Sequence, residues 1–221
     1  MDIESFDIFG CDVRPVSCSM LTHSAAPSHI AIVLPGFRHT VDRPGLHYAQ
    51  RILYQGGADI LRVEYQYWRT EYATLSEAAQ DACIASDATA VVDAAFARRA
   101  YSKLTLLGKS LGTIAMAHLL HDERCRAADC IWVTPLLTVP WLRDQIRLHR
   151  PRSLFVVGTD DSHYDESILL ELERATGGQT VRVVGADHSL EVSGDIEASL
   201  VGLTSIAQAV ESFVLEGRPR A

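Results

Sequence analysis

The chain has 221 residues, 48% of them hydrophobic and 22% charged, which is ordinary for a soluble globular protein and enough for one sizeable core, so a single domain over 1–221 is expected. Its formal net charge of −8 argues against nucleic acid as a partner, because phosphate binding needs a basic stripe. No unbroken apolar run reaches the roughly 18 residues of a membrane span, and the acidic start "MDIESFDIFG" is unlike a secretory signal, so a cytoplasmic location without a membrane partner is expected.

In chain order, the first 24 residues alternate loosely and suggest one or two edge strands, open to antiparallel pairing. From residue 30 onward short β-rich runs alternate with helical patterns: "HIAIVLPG" (29–36), "DILRVEYQY" (59–67), "KLTLLGKS" (103–110), "CIWVTP" (130–135), "SLFVVGTDD" (153–161) and "TVRVVGADHS" (180–189). Most are continuous Val/Ile/Leu runs, as expected of parallel strands covered on both faces. Between them, Leu75, Ala78, Ala82, Ala85, Thr89, Val92 and Phe96 recur at helical spacing, and so do Ile196, Leu200, Leu203, Ala207, Val210 and Val214; each set predicts one buried helix face. Strand, helix, strand, repeated, predicts an α/β fold: an open, mostly parallel sheet with right-handed crossovers and helices on both faces.

Two compositional features exclude further chemistry. The five cysteines, Cys11, Cys18, Cys83, Cys125 and Cys130, are odd in number and contain no C-x-x-C pair, so neither a disulfide framework nor a zinc site is expected and the thiols are read as reduced and mostly buried. The basic stretch 143–152 holds four Arg and one His and reads as a solvated helix face.

The stretch "KLTLLGKSLGTIA" (103–115) carries the chemistry. Gly108-Lys109-Ser110 resembles the end of a phosphate-binding loop, but G-x-x-x-x-G-K-[ST] would need a glycine where Lys103 stands, and the intervening "LTLL" forms strand. Gly108-Lys109-Ser110-Leu111-Gly112 instead fits G-x-S-x-G, with strand before it and helix after it, as a nucleophile elbow requires. A serine hydroxyl is inert without a base, so a carboxylate and a histidine should follow at later strand ends, where open parallel sheets gather their chemistry. "SLFVVGTDD" ends in Asp160 and Asp161, and "TVRVVGADHS" ends in His188. Ser, Asp, His is the chain order of this architecture.

With the elbow "GKSLGT", the strand-end acid "VVGTDD" and the His loop "GADHSLE", the chain resembles the α/β-hydrolase superfamily over about residues 28–215, and its size is similar to that of the small dienelactone-hydrolase-like members. It departs from many esterases and lipases in "EYQYWRTEY", which lacks their D-x-R-G-x-G-x-S pattern. The resemblance implies Ser110 as nucleophile, His188 as base and acid, and, by the G-x-x-D register, Asp161 rather than Asp160 as triad acid. It also implies an oxyanion hole made by the amides of Leu111 and, from the loop "LPGFRHT", Phe37. Asp187 reads as a loop cap.

That resemblance further implies cleavage of an ester, thioester or related acyl bond of a small-molecule substrate, with no metal or organic cofactor. A peptidase on the same fold and a non-catalytic binding relative are the alternatives, and the oligomeric state is left open. His118 and His121 read as helix surface, whereas His39 and His163 fall in loops near the catalytic edge. Trp68 and Trp141 are candidate pocket residues. Only 136–152 separates the fourth and fifth of the runs above, enough for one helix with Leu137, Trp141, Ile146 and Leu148 inward and too short for a cap, so a shallow site for short acyl groups is expected.

Overall fold

In the computed structural model, which describes residues 2–11, 15–68 and 70–216, each of the apolar runs becomes a strand. The strands are β1 (Asp2–Ile8), β2 (Val16–Thr22), β3 (His29–Leu34), β4 (Asp59–Glu64), β5 (Lys103–Lys109), β6 (Asp129–Val133), β7 (Ser153–Gly158) and β8 (Gln179–Val183). They form one sheet in the order β1-β2-β4-β3-β5-β6-β7-β8. β4 to β8 and β3 are parallel, while β2 runs antiparallel to both β1 and β4, so the expected edge strands are the antiparallel end of the sheet. In β3, residues 30–34 are buried on both faces, which is why the run is continuous rather than alternating.

The helices are α1 (Pro44–Gln55), α2 (Thr70–Ala73), α3 (Glu77–Arg98), α4 (Leu111–Leu119), α5 (Pro140–His149), α6 (Glu166–Thr176) and α7 (Ile196–Glu216). Local chemistry sets their starts: the Ser76 side chain accepts from the Ala79 amide ahead of α3, Asp165 accepts from the Ile168 amide ahead of α6, and Pro140 opens α5. α1 and α7 pack together on one face, over Val33, Leu107, Val133 and Val156. α3 to α6 cover the other, over Ile32, Leu106, Trp132 and Phe155. The chain leaves β3 toward β4 and returns across it to β5, so the sheet's switch point lies between β3 and β5, where open α/β sheets place their ligands. Between β6 and β7 there is one helix, α5, and no separate cap.

Four expectations are corrected. The buried face of α3 is Cys83, Ile84, Asp87, Ala88, Val91, Val92 and Ala95, not the stripe through Ala78, Ala82 and Thr89, which faces outward. In so alanine-rich a helix apolar spacing says little, and the face is fixed instead by partners: Asp87 accepts from the Cys11 amide at 2.7 Å and from the Tyr67 hydroxyl at 2.7 Å. In α5, Leu137 and Ile146 do pack inward, but Leu148 is 68% exposed and Leu142 takes its place. α7 buries Ile206, Val210, Phe213 and Val214 while Ile196 and Leu200 stay exposed. Read as a window rather than an unbroken run, α7 has a mean hydropathy of 1.5 and is long and apolar enough to cross a membrane by length and composition alone, though its buried face lies on α1 and the sheet.

The fourth correction concerns the cysteines. Cys11 and Cys83 form a disulfide spanning 72 residues that ties the end of the β1 hairpin to α3. Pairing over that separation leaves no spacing signal. Cys18, Cys125 and Cys130 are free and buried, as expected, and burial pushes the Cys18 and Cys125 thiols up to about 12, so they are inert at neutral pH. Closing so long a loop is expected to contribute about 2–4 kcal/mol. Urea unfolding of Cys83→Ala should show a loss of that size, and adding Cys11→Ala should cost little more, because either change alone removes the bridge; a loss confined to a few tenths would show that the cross-link is not formed in the folded protein.

Candidate active site

The turn from β5 into α4 at Ser110 is made by close approach. β5 ends at Lys109, and Ser110 follows with φ 50° and ψ −115°, a left-handed conformation that L residues rarely adopt. Ser110 is held there by its own amide, which donates to the Val133 carbonyl on β6 at 3.0 Å, and by its carbonyl, which accepts from the Thr113 amide and hydroxyl at 2.8 and 2.6 Å. The flanking glycines are required sterically. A Cβ on Gly112 would lie 2.0 Å from the Leu34 carbonyl oxygen, and one on Gly108 2.7 Å from the Gly112 oxygen. Small residues thus let α4 start directly against β3 and β5.

Two later strand ends meet Ser110. His188 lies in the loop after β8, and its Nε2 is 2.8 Å from Ser110 Oγ. Its Nδ1 is 2.8 Å from Asp161 Oδ2, just past β7. The pattern that satisfies all three groups has the Ser110 hydroxyl donating to Nε2 and Nδ1–H donating to Asp161. Asp161 is buried, which by itself raises a carboxyl pKa, yet its bonds from the His188 ring and from the His163 amide at 2.9 Å hold it below the usual value. Asp160, by contrast, is exposed and directs its amide to the Ala186 carbonyl. Gly158 allows the two loops to touch: a Cβ there would lie 2.2 Å from the Ala186 oxygen. Asp187 caps the His loop, accepting from the amides of Ser189 and Glu191 at 2.7 and 3.2 Å.

Two segments meet at Ser110, the start of α4 and the loop after β3. Leu111 opens α4, so its N–H is one of the first-turn donors without an intrahelical acceptor, at the positive end of the helix dipole. Gly36, after β3, comes so close that its missing Cβ would be 3.0 Å from Ser110 Cβ, and Phe37 is the next residue of that loop. The His39 amide closes this turn on the Gly36 carbonyl at 3.1 Å, with Arg38 at φ 61°.

Of the histidines placed near the catalytic edge, His163 has its ring 5.3 Å from that of His188 and its Nδ1 2.7 Å from Thr138 Oγ1. His39 is half-buried beside Lys109 and His188, and burial, reinforced by those neighbours and Arg43, pushes its pKa down to about 4. Its imidazole is therefore neutral at physiological pH. His118 pairs with Asp81 at 2.9 Å and packs on Trp141, so Trp141 belongs to the α4–α5 packing. A cavity of about 150 Å³ that Lys109 and Ser189 line is lined by neither Trp141 nor Trp68.

No family model and no curated protein matches the sequence. The fold does match solved structures. The chain is similar to Est1E from Butyrivibrio proteoclasticus at 17% identity and TM-score 0.69, covering 96% of this chain and 98% of that one. It is similar to an α/β serine hydrolase without lid from Xanthomonas campestris at 17% identity and TM-score 0.70, covering 100% and 97%. A dienelactone hydrolase from Anabaena variabilis is similar at 14% identity and TM-score 0.66, covering 97% of each. The chain has the α/β-hydrolase fold, in its form without a cap.

One residue of the site was not legible as such. Lys109, the variable residue of the G-x-S-x-G motif, is 3% exposed. Its ammonium donates to Thr134 Oγ1 at 2.7 Å and to the His188 carbonyl at 2.5 Å, joining the elbow, the end of β6 and the His loop. Burial lowers its pKa from 10.5 to about 8, against the opposing pull of Asp161 and Asp187. Below pH 8 both folded and unfolded chains hold the proton and the fold carries the cost of a buried ammonium. Between pH 8 and 10.5 the folded chain releases the proton and the unfolded one keeps it, so stability rises with pH. That interval corresponds to about 3 kcal/mol. Urea unfolding of wild type and Lys109→Met across this range should show the wild type gaining up to that amount relative to the variant; a constant difference would mean that Lys109 keeps its proton in the fold.

Proposed function

We propose that this protein is a serine hydrolase that cleaves an ester, thioester or related acyl bond of a small substrate through an acyl-enzyme on Ser110. The observation that carries the reading is the unbroken hydrogen-bond chain from Ser110 Oγ through both ring nitrogens of His188 to Asp161, 2.8 Å at each step. The similarity to known esterases and serine hydrolases in fold supports it, and so does the strained elbow conformation, which has no evident structural purpose.

The proposed sequence of steps follows from the atoms. Ser110 Oγ attacks the acyl carbon as its proton passes to His188 Nε2. Asp161 keeps Nδ1–H pointed toward itself and stabilises the imidazolium. Negative charge on the former carbonyl oxygen is met by the amides of Leu111 and Phe37. His188 then gives its proton to the departing alkoxide or thiolate, and the C–O or C–S bond breaks. Water repeats the cycle against the acyl-enzyme, with His188 again taking and returning the proton. No step requires a metal or an organic cofactor.

The experiment is fluorophosphonate labelling followed by turnover of p-nitrophenyl acetate. Wild type should label on Ser110, and Ser110→Ala should lose both labelling and about 10⁶-fold in kcat; label retained by the Ala variant would dismiss the reading. The two aspartates should separate as well. Asp161→Asn should lower kcat by about 10³–10⁴, because the His188 tautomer is then wrongly set, whereas Asp160→Asn should cost less than about tenfold. Equal losses would leave Asp161 without its assigned role.

A further inference from the structure

The N-terminal half of α7 carries the apolar stripe its sequence promises, yet that stripe does not enter the core. It overhangs a cavity of about 150 Å³ walled by Leu46, Leu190, Ile196, Leu200, Leu203 and Ile206. Ile196 and Leu200 are 77% and 59% exposed, so the wall continues outward as an apolar lip. A helix face kept apolar without being buried has no stabilising role in the monomer, since apolar surface left in water contributes nothing to folding.

The position of the cavity ties it to the triad. Lys109 and Ser189 both line it, and they are the chain neighbours of Ser110 and His188. His39 lines it too, from the turn whose Gly36 lies against Ser110. The His39 Nδ1 is buried without a hydrogen-bond partner, which native proteins rarely leave so unless an occupant completes it. The imidazole carries no charge at neutral pH; Arg43, Lys109 and Glu191 also line the cavity, so an apolar occupant is met by the leucine and isoleucine part of the lining. A cavity of about 150 Å³ has room for one benzene ring, hence about six carbons.

Resting on the hydrolase reading above, we infer that this cavity is the substrate's apolar subsite. It takes a chain or ring of about four to six carbons from either the acyl or the alcohol side of the scissile bond, while the carbonyl lies at Ser110. Leu46, Leu200 and Leu203 then set the length that is accepted.

Two ester series test this: p-nitrophenyl esters from acetyl to octanoyl, in which the acyl chain varies, and acetate esters from methyl to octyl, in which the alcohol varies. In one of them kcat/KM should rise about fourfold per methylene and level off at four to six carbons. Leu203→Trp, which fills the cavity, should lower the six-carbon to two-carbon ratio in that series about 50-fold. Leu203→Ala, which enlarges it, should move the optimum one or two carbons longer, and this second variant keeps the test open if the Trp variant does not fold. Leu215→Trp, on the same helix and outside the cavity, should leave the ratio as in wild type. All rates are normalised to the fraction of Ser110 labelled by fluorophosphonate. A wild type that labels and turns over acetate, but whose two chain-length profiles neither Leu203 variant changes, overturns the subsite; a wild type that neither labels nor turns over overturns the hydrolase reading instead.

Discussion

The site depends on one close approach, that of the first turn of α4 to the end of β3. Gly112 lies against the Leu34 carbonyl at a separation no side chain could occupy. Only at that distance can Ser110 leave β5, take a left-handed backbone conformation and still place its amide on the Val133 carbonyl. The strain is local and of order 1–3 kcal/mol, and the surrounding sheet over-determines it: β5 is hydrogen-bonded on both sides, by β3 and β6. The same approach brings the loop after β3 up to Ser110, with Gly36 against its side chain. The turn at Ser110 and the position of the loop after β3 are thus products of one packing event.

A second constraint is electrostatic. The floor of the site holds a buried cation, Lys109, under the loop that carries His188. Its ammonium donates to two acceptors, the Thr134 hydroxyl and the His188 carbonyl. Asp161 and Asp187 offset its charge, while His39, which faces it without a carboxylate of its own, is held neutral. Buried charge of this kind is costly compared with an apolar core. What it supplies here is connection: one side chain links three segments that must keep their relative positions if His188 is to stay 2.8 Å from Ser110.

How much of this could be read from sequence follows from how far apart the determinants lie. That Ser110, Asp161 and His188 come together was legible because each follows a strand, two or three residues after a glycine, in segments whose apolar runs are themselves unambiguous. The preference for Asp161 over Asp160 came from register alone, and the structure separates the two by burial as well. The inward face of α3 was not legible. Its alanines give no strong stripe, and what turns it inward, Asp87 with Tyr67 and the Cys11 amide, joins residues that are 20 and 76 positions apart. The disulfide from Cys11 to Cys83 was hidden for the same reason. Lys109 was visible as a residue but not as a tether, since its partners lie 25 and 79 positions away.

α7 is the instructive case, because there the local reading was right and the conclusion drawn from it was not. Ile196, Leu200 and Leu203 do share one helix face, as their spacing says. A stripe of that kind normally packs on the sheet, and in the second half of the helix, at Ile206, Val210 and Phe213, it does. In the first half Gly202 still lies against Val183 on β8, but Ile196, Leu200 and Leu203 line a cavity instead of entering the core. Sequence periodicity reports which side of a helix is apolar but not what that side meets. Where local pattern and global burial disagree, function is a common cause, and on α7 the disagreement occurs at the cavity that Ser189 and Lys109 also line.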